Sequence, residues 1–203
     1  MHKTVHGHRR DTQWIVNLQI FKIDNVKQQG IVTSFAVVDP TAAFWIPSAD
    51  WALYRRAFEY ANFTCTDFGY SEACYVDGIS CDPYYDTLPT FSYVLNSTAV
   101  NLPPKAYTVS YPNLIFPNAT NSCSIEMYSS PNIDTMTLGQ IFAQQYALKY
   151  DYSKGKIGFA INSNAVEGIT IATYLSVWTW ILIGFGGLIF LIFFCTCVQA
   201  CRK

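Results

Sequence analysis

The uncharged run "ATYLSVWTWILIGFGGLIFLIFFCTCV", residues 172–198, limits what this chain can fold into more than any other feature. At about 1.5 Å of rise per residue, a helix of that length crosses a hydrocarbon layer roughly 30 Å thick. Tyr174, Trp178 and Trp180 gather near one end, where amphipathic rings favour the membrane interface, and Arg202 and Lys203 follow the other. Globular domains rarely bury so long an uncharged run. A cleaved glycolipid-anchor signal normally finishes on its apolar stretch and not on Arg-Lys. A transmembrane helix over 172–198 with a cytosolic tail at 199–203 is therefore expected, preceded by a juxtamembrane linker at 164–171.

The cysteines separate the two sides of that membrane. Cys65, Cys74, Cys81 and Cys123 lie in the body, whereas Cys195, Cys197 and Cys201 cluster at the end of the apolar run. Four body cysteines allow three pairings, and an even count fits an oxidising compartment. Asn62-Phe-Thr, Asn96-Ser-Thr and Asn118-Ala-Thr each match the glycan acceptor pattern. Together these features, with the tail charges, expect a single-pass protein whose body is luminal or extracellular and whose C-terminus is cytosolic. Cys197 and Cys201, beside the basic pair, are candidate acylation sites or free thiols.

One signal points the other way. The opening "MHKTVHGHRR" has no apolar core and so does not read as a signal peptide. Without a leader, a chain anchored only at its end would leave its body in the cytosol, with reduced cysteines and unused sequons. The sequons, the cysteine count and the charge bias agree with one another and are given the greater weight.

A chain of 203 residues, 51% hydrophobic and 13% charged, can hold one core of moderate size besides this span. Its net charge of −1 and the lack of any Lys/Arg cluster exclude the electrostatic footprint of a nucleic-acid binder. His2, His6 and His8 are not framed by carboxylates or cysteines as metal ligands usually are, so 1–12 reads as an unstructured, solvated tail with no metal and no cofactor.

The body reads as mainly β. "WIVNLQIF" and "IVTSFAVV" are rich in β-branched and aromatic residues, with turn chemistry at Asp24-Asn25 and Gly30. "LPTFSYVLN", "KAYTVSY", "CSIEMY", "QYALKYDY" and "KIGFAIN" continue the pattern, the last two joined by a turn at Ser153-Lys154-Gly155. One segment is helical at length: "SADWALYRRAFEYAN" has Ser48 as candidate cap, Asp50 in its first turn, and Trp51, Tyr54 and Phe58 on one face.

Read in order, "VVDPTAAFWIPSADWALYRRAF", "CDPYYDTLPTFSYVLNSTAVNLPPKAY", "CSIEMYSS" and "TLGQIFAQQYALKYDYSKGKIGFA" resemble successive landmarks of the C-terminal lobe of pepsin-like aspartic proteases. The resemblance covers about residues 13–162, and its closing Leu-Gly-x-x-Phe-x-x-x-Tyr is the most specific piece. It implies a single pepsin-like lobe over 13–163 with one or two short helices. It also implies that Asp39 is this lobe's catalytic carboxylate, facing a twin from another lobe with which it would share a proton. For the disulfides it implies Cys81 with Cys123, leaving Cys65 with Cys74.

Two departures bear on function. The family motif continues Thr-Gly-Thr-Ser after its aspartate, where this chain has Pro40-Thr41-Ala42-Ala43. A Cβ at the glycine position crowds the partner lobe, and Ala42 cannot supply the following hydroxyl; losing such a donor costs about a hundredfold in rate. Asp134-Thr135-Met136 lacks the motif's glycine and sits before Leu138-Gly139, so it reads as a decoy, and no second lobe with its own Asp-Thr-Gly precedes Trp14. Three functions remain in view. One is a membrane-anchored, catalytically impaired homologue that binds peptide or protein. Another is the half of an aspartic endopeptidase that works with an N-terminal lobe. The third is an unrelated β ectodomain used in adhesion or as a receptor.

Overall fold

The computed structural model describes residues 3–6, 8–10, 13–111 and 121–173. The described body falls within one compact unit, Met1–Ala172. It is mainly β, built on a fourteen-stranded sheet and a three-stranded sheet. Among the described residues no helix is long and apolar enough to cross a membrane. From Tyr174 onward the expected span lies outside the described residues, as do the tail and Cys195, Cys197 and Cys201; Ala172 and Thr173 close a short strand, Ile171–Thr173.

At the centre of the large sheet the neighbours run Met127–Ser130, Phe44–Pro47, Met136–Leu138, Phe35–Val38 and Gln13–Ile23. Alternation over residues 13–18, before a register shift between Leu18 and Ile20, explains the place of the strand Gln13–Ile23. Trp14, Val16 and Leu18 are buried on one face, while Gln13, Ile15 and Asn17 stand on the other. The same division holds on its neighbours: Phe44, Ile46, Met136 and Leu138 are fully buried, whereas Trp45 and Thr137 are not. One face of this sheet thus makes the core and the other stays partly open.

The core is aromatic. Phe21 stacks on Tyr54 with ring centroids 4.7 Å apart, Tyr54 meets Phe91 at 5.0 Å, and Phe91 meets Tyr107 at 5.2 Å. Such pairs add about 0.5–1.5 kcal/mol each beyond area burial. Their hydroxyls are satisfied where they are buried: Tyr54 donates to Tyr93 at 3.3 Å and Tyr107 to the Pro89 carbonyl at 2.6 Å.

Helix α1, Ser48–Tyr60, buries Trp51, Tyr54 and Phe58 on the face its spacing predicts. Ser48 is not the cap: the helix begins after Pro47 without a side-chain cap. Asp50 is fully buried, and its carboxylate accepts the Val32 and Thr33 amides at 2.7 and 3.1 Å. Those two amides are thereby withdrawn from the sheet, so the strand expected over Ile31–Val38 shortens to Phe35–Val38. At the other end Asn62, at φ 66°, closes the helix with the Phe63 amide on the Phe58 carbonyl and its own amide on Glu59. Helix α2, Pro104–Tyr107, and helix α3, Gln140–Gln145, bring the α-helices among the described residues to three where the sequence suggested one or two. Helix α2 takes the start of "KAYTVSY", whose strand is only Thr108–Tyr111, because Pro104 at the first helical position favours a turn of helix.

Both ends of the body are more ordered than their sequences suggest. Lys3–His6 pairs antiparallel with Lys156–Ile161, and His8–Arg10 with Gln13–Ile23, where an unstructured tail was expected. Pairing of this kind satisfies backbone groups, a need that no side-chain pattern has to announce. The presumed linker at 164–171 is also docked. The Thr170 amide lies 2.5 Å from Asn101 Oδ1, the Tyr146 hydroxyl donates to the Thr170 carbonyl at 2.9 Å, and Asn101 Nδ2 donates to Gly168 at 2.7 Å.

Candidate functional site

Asp39 follows directly on the strand Phe35–Val38 and is half-buried. Two chain segments cross beneath it. The Asp39 amide donates to the Leu138 carbonyl at 3.2 Å, and the Gln140 amide donates to the Ala42 carbonyl at 2.8 Å. Between them sits Gly139, where a Cβ would overlap the carbonyl oxygens of Ala42 and Ala43. The Leu-Gly landmark is therefore the partner that the loop after Asp39 needs for its close approach.

Thr41 holds the carboxylate. Its amide donates to Asp39 Oδ1 at 3.0 Å and its hydroxyl to the same oxygen at 2.7 Å. These bonds, led by the hydroxyl and helped by the Ala42 amide, hold the Asp39 carboxyl below the usual aspartate range. Reading the motif position by position, the hydroxyl donor was lost at Ala42. In the fold, the threonine at the preceding position, where the motif has glycine, supplies a hydroxyl to the aspartate. A short side chain two residues after an aspartate can close such a turn locally, and that rule was the signal available in the sequence.

Above Asp39 opens a groove of about 1020 Å³ on the uncovered face of the sheet, lined by Ile15, Asn17, Phe35, Val37, Trp45 and Thr137 together with Asp39 and Ala42. Strand register makes the floor continuous, with Ile15 opposite Val37, Val37 beside Thr137, and Thr137 opposite Trp45. Trp45 leans on Tyr128 at 5.7 Å between rings, and Glu126 accepts the Tyr128 hydroxyl at 2.8 Å. Burial first and Glu126 second push the Tyr128 phenol far up, so it stays a donor. Behind the carboxylate, Trp14 packs on Tyr150 at 5.2 Å; the Tyr150 phenol is raised by burial and then by the charge of Asp39.

The far wall of the groove holds Asn132, Ile133, Asp134 and Thr135. Asp134, set aside in the sequence as a decoy of the motif, belongs to the same groove as Asp39. Its position just before Leu138-Gly139, the segment that runs beside the Asp39 strand, was the clue.

Both disulfides are formed, Cys65 with Cys74 and Cys81 with Cys123, as the resemblance implies. Among the sequons, Asn62 is exposed at the end of α1 and Asn96 is half-buried in the turn between Phe91–Leu95 and Thr98–Leu102; Asn118 lies outside the described residues. His6 and His8 fall in the N-terminal strands, and His2 lies outside the described residues. A search of curated proteins finds no match to the chain. A family model described as eukaryotic aspartyl protease matches residues 9–162, which takes in Asp39, the Leu138-Gly139 crossing beneath it and both disulfides. The chain belongs to the eukaryotic aspartyl protease family.

Proposed function

We propose that this protein is a membrane-anchored aspartyl protease homologue with impaired catalysis, which uses the groove over Asp39 to bind peptide or protein segments. The observation that carries the reading is a groove with an apolar floor and a fixed carboxylate, in which Ala42 stands at the hydroxyl position of the family motif. Peptide hydrolysis by two carboxylates needs one to activate water and the other to protonate the carbonyl. Losing a donor to one of them costs a few kcal/mol of transition-state stabilisation. The uncharged run at 172–198 and the following Arg202-Lys203 support an anchor with the body luminal or extracellular, in contact with membrane lipid at its C-terminal end; the sequons support a glycoprotein.

A second reading is favoured by one contact. With Thr41 giving a hydroxyl to Asp39, the carboxylate is held ionised, as the base of a proton-sharing pair must be. The chain would then supply one half of an endopeptidase and an N-terminal protease lobe the other.

The full chain in detergent, incubated at acidic pH with denatured haemoglobin, tests the first reading. No cleavage is expected from the chain alone. Cleavage that a statine-type inhibitor blocks and that Asp39→Ala abolishes would refute impaired catalysis.

A further inference from the structure

The charge of the groove is one-sided. Asp39 and Asp134 stand on its walls, and no Lys or Arg is among the described residues that line it. The remaining walls are apolar, Ile15, Phe35, Val37, Trp45 and Ile133, or uncharged amides and hydroxyls, Gln13, Asn17, Asn132, Thr135 and Thr137. Both Thr41 bonds fall on Oδ1 of Asp39, and Asp39 itself is only partly buried. The carboxylate lines a space of about 1020 Å³, large enough for a peptide segment. Arg10 stands opposite Gln13, a lining residue, in strand register.

We infer that the groove captures a peptide segment carrying an arginine side chain flanked by apolar residues, the guanidinium meeting Asp39 or Asp134 and the neighbours lying on Trp45 and Phe35. Three features of the site require this chemistry. A neutral apolar segment would cover two carboxylates without pairing them, which is costly. An acidic segment would face repulsion. A planar guanidinium can give parallel hydrogen bonds to a carboxylate and lie against an aromatic face, which an ammonium does less well. The inference rests on the peptide-binding reading above and adds the class of ligand.

The test uses the full chain in detergent micelles and three fluorescent peptides of one apolar sequence, with Arg, citrulline or Glu at the central position. Citrulline keeps the shape of arginine and removes its charge. Anisotropy titrations at low salt should show the Arg peptide binding about tenfold tighter than the citrulline peptide, the size of one charge-assisted hydrogen bond. The Glu peptide should be weakest. Asp134→Asn and Asp39→Asn should each narrow the gap, and Arg10→Gln should leave it in place or widen it. Equal binding of the Arg and citrulline peptides would overturn the ligand class while leaving peptide binding intact. A gap that survives in both carboxylate variants, or that disappears in Arg10→Gln, would overturn the assignment to Asp39 and Asp134. Failure of all three peptides to bind would remove the peptide-binding reading itself.

Discussion

Thr41 donates twice to a single oxygen of Asp39, through its amide at 3.0 Å and its hydroxyl at 2.7 Å. The hydroxyl is the larger cause of the lowered Asp39 titration, so Thr41→Val should raise it toward the ordinary value of 3.8. Because folding lowers this group, its stabilisation is present above that value and fades as pH falls through the lower, folded one. The stability gap between wild type and Thr41→Val should thus be widest above about pH 4 and close in stronger acid. Carboxyl-carbon NMR titration of Asp39 checks the first expectation, and urea unfolding across pH checks the second. An unchanged Asp39 titration in the variant would show that the hydroxyl does not hold the carboxylate.

Gly139→Ala should be among the most damaging single changes in the body. The added methyl meets backbone oxygens of Ala42 and Ala43, which cannot rotate away as a side chain can. A loss of roughly 3 kcal/mol or more is expected, at the upper end of overpacking effects, together with displacement of Asp39. Thermal unfolding monitored by circular dichroism measures it; a shift in Tm of only a degree or two would mean the crossing is looser than described.

Asn62 has two roles that a glycan experiment must keep apart. It is an exposed sequon residue, and it is also the residue at φ 66° that closes α1. Asn62→Gln removes the acceptor and forces an ordinary side chain into the left-handed region, at a cost of about 1 kcal/mol. Asn62→Gly removes the acceptor with no such strain, and Thr64→Ala does so at an exposed strand position. All three should shift mobility on a gel by the same step, yet only Asn62→Gln should lower Tm relative to enzymatically deglycosylated wild type.

The two disulfides should differ in weight. Cys81 and Cys123 are 42 residues apart and Cys65 and Cys74 only 9, which in the chain-entropy model corresponds to about 4 and about 2.5 kcal/mol. The paired replacement Cys81→Ala with Cys123→Ala should therefore lower stability more than Cys65→Ala with Cys74→Ala. The difference should be larger still because Cys81 and Cys123 are both fully buried, whereas Cys65 is partly exposed. Denaturant unfolding of the two variants decides the order.

What the sequence made legible was local. The strand Gln13–Ile23, the one long helix and the turn at Asp24-Asn25 follow from residues within a few positions of one another, and each is where the pattern put it. What distant parts of the chain add was not legible. Asp50 stands in the first turn of α1 as its position predicts, and it also serves the amides of Val32 and Thr33, 18 and 17 positions away. Asp134 joins Asp39 only because Met136–Leu138 runs parallel to Phe35–Val38. Lys3–His6 owes its strand to Lys156–Ile161 at the other end of the body, a partnership its polar side chains do not announce. The exchange of a hydroxyl from the position of Ala42 to that of Thr41 was local enough to be seen, but comparing positions one for one hid it.

The docking of residues 168–170 on Asn101 and Tyr146 also sets a mechanical route. Tyr146 follows α3 directly, and α3 begins at Gln140, whose amide hangs from the Ala42 carbonyl beside Asp39. Tension applied at the C-terminal end of the body would first load the strand Ile171–Thr173 against its neighbour Thr98–Leu102, then Thr170 and the Tyr146 hydroxyl, and through α3 reach the loop carrying the carboxylate. A pull at Thr173 is in this way a pull on the groove.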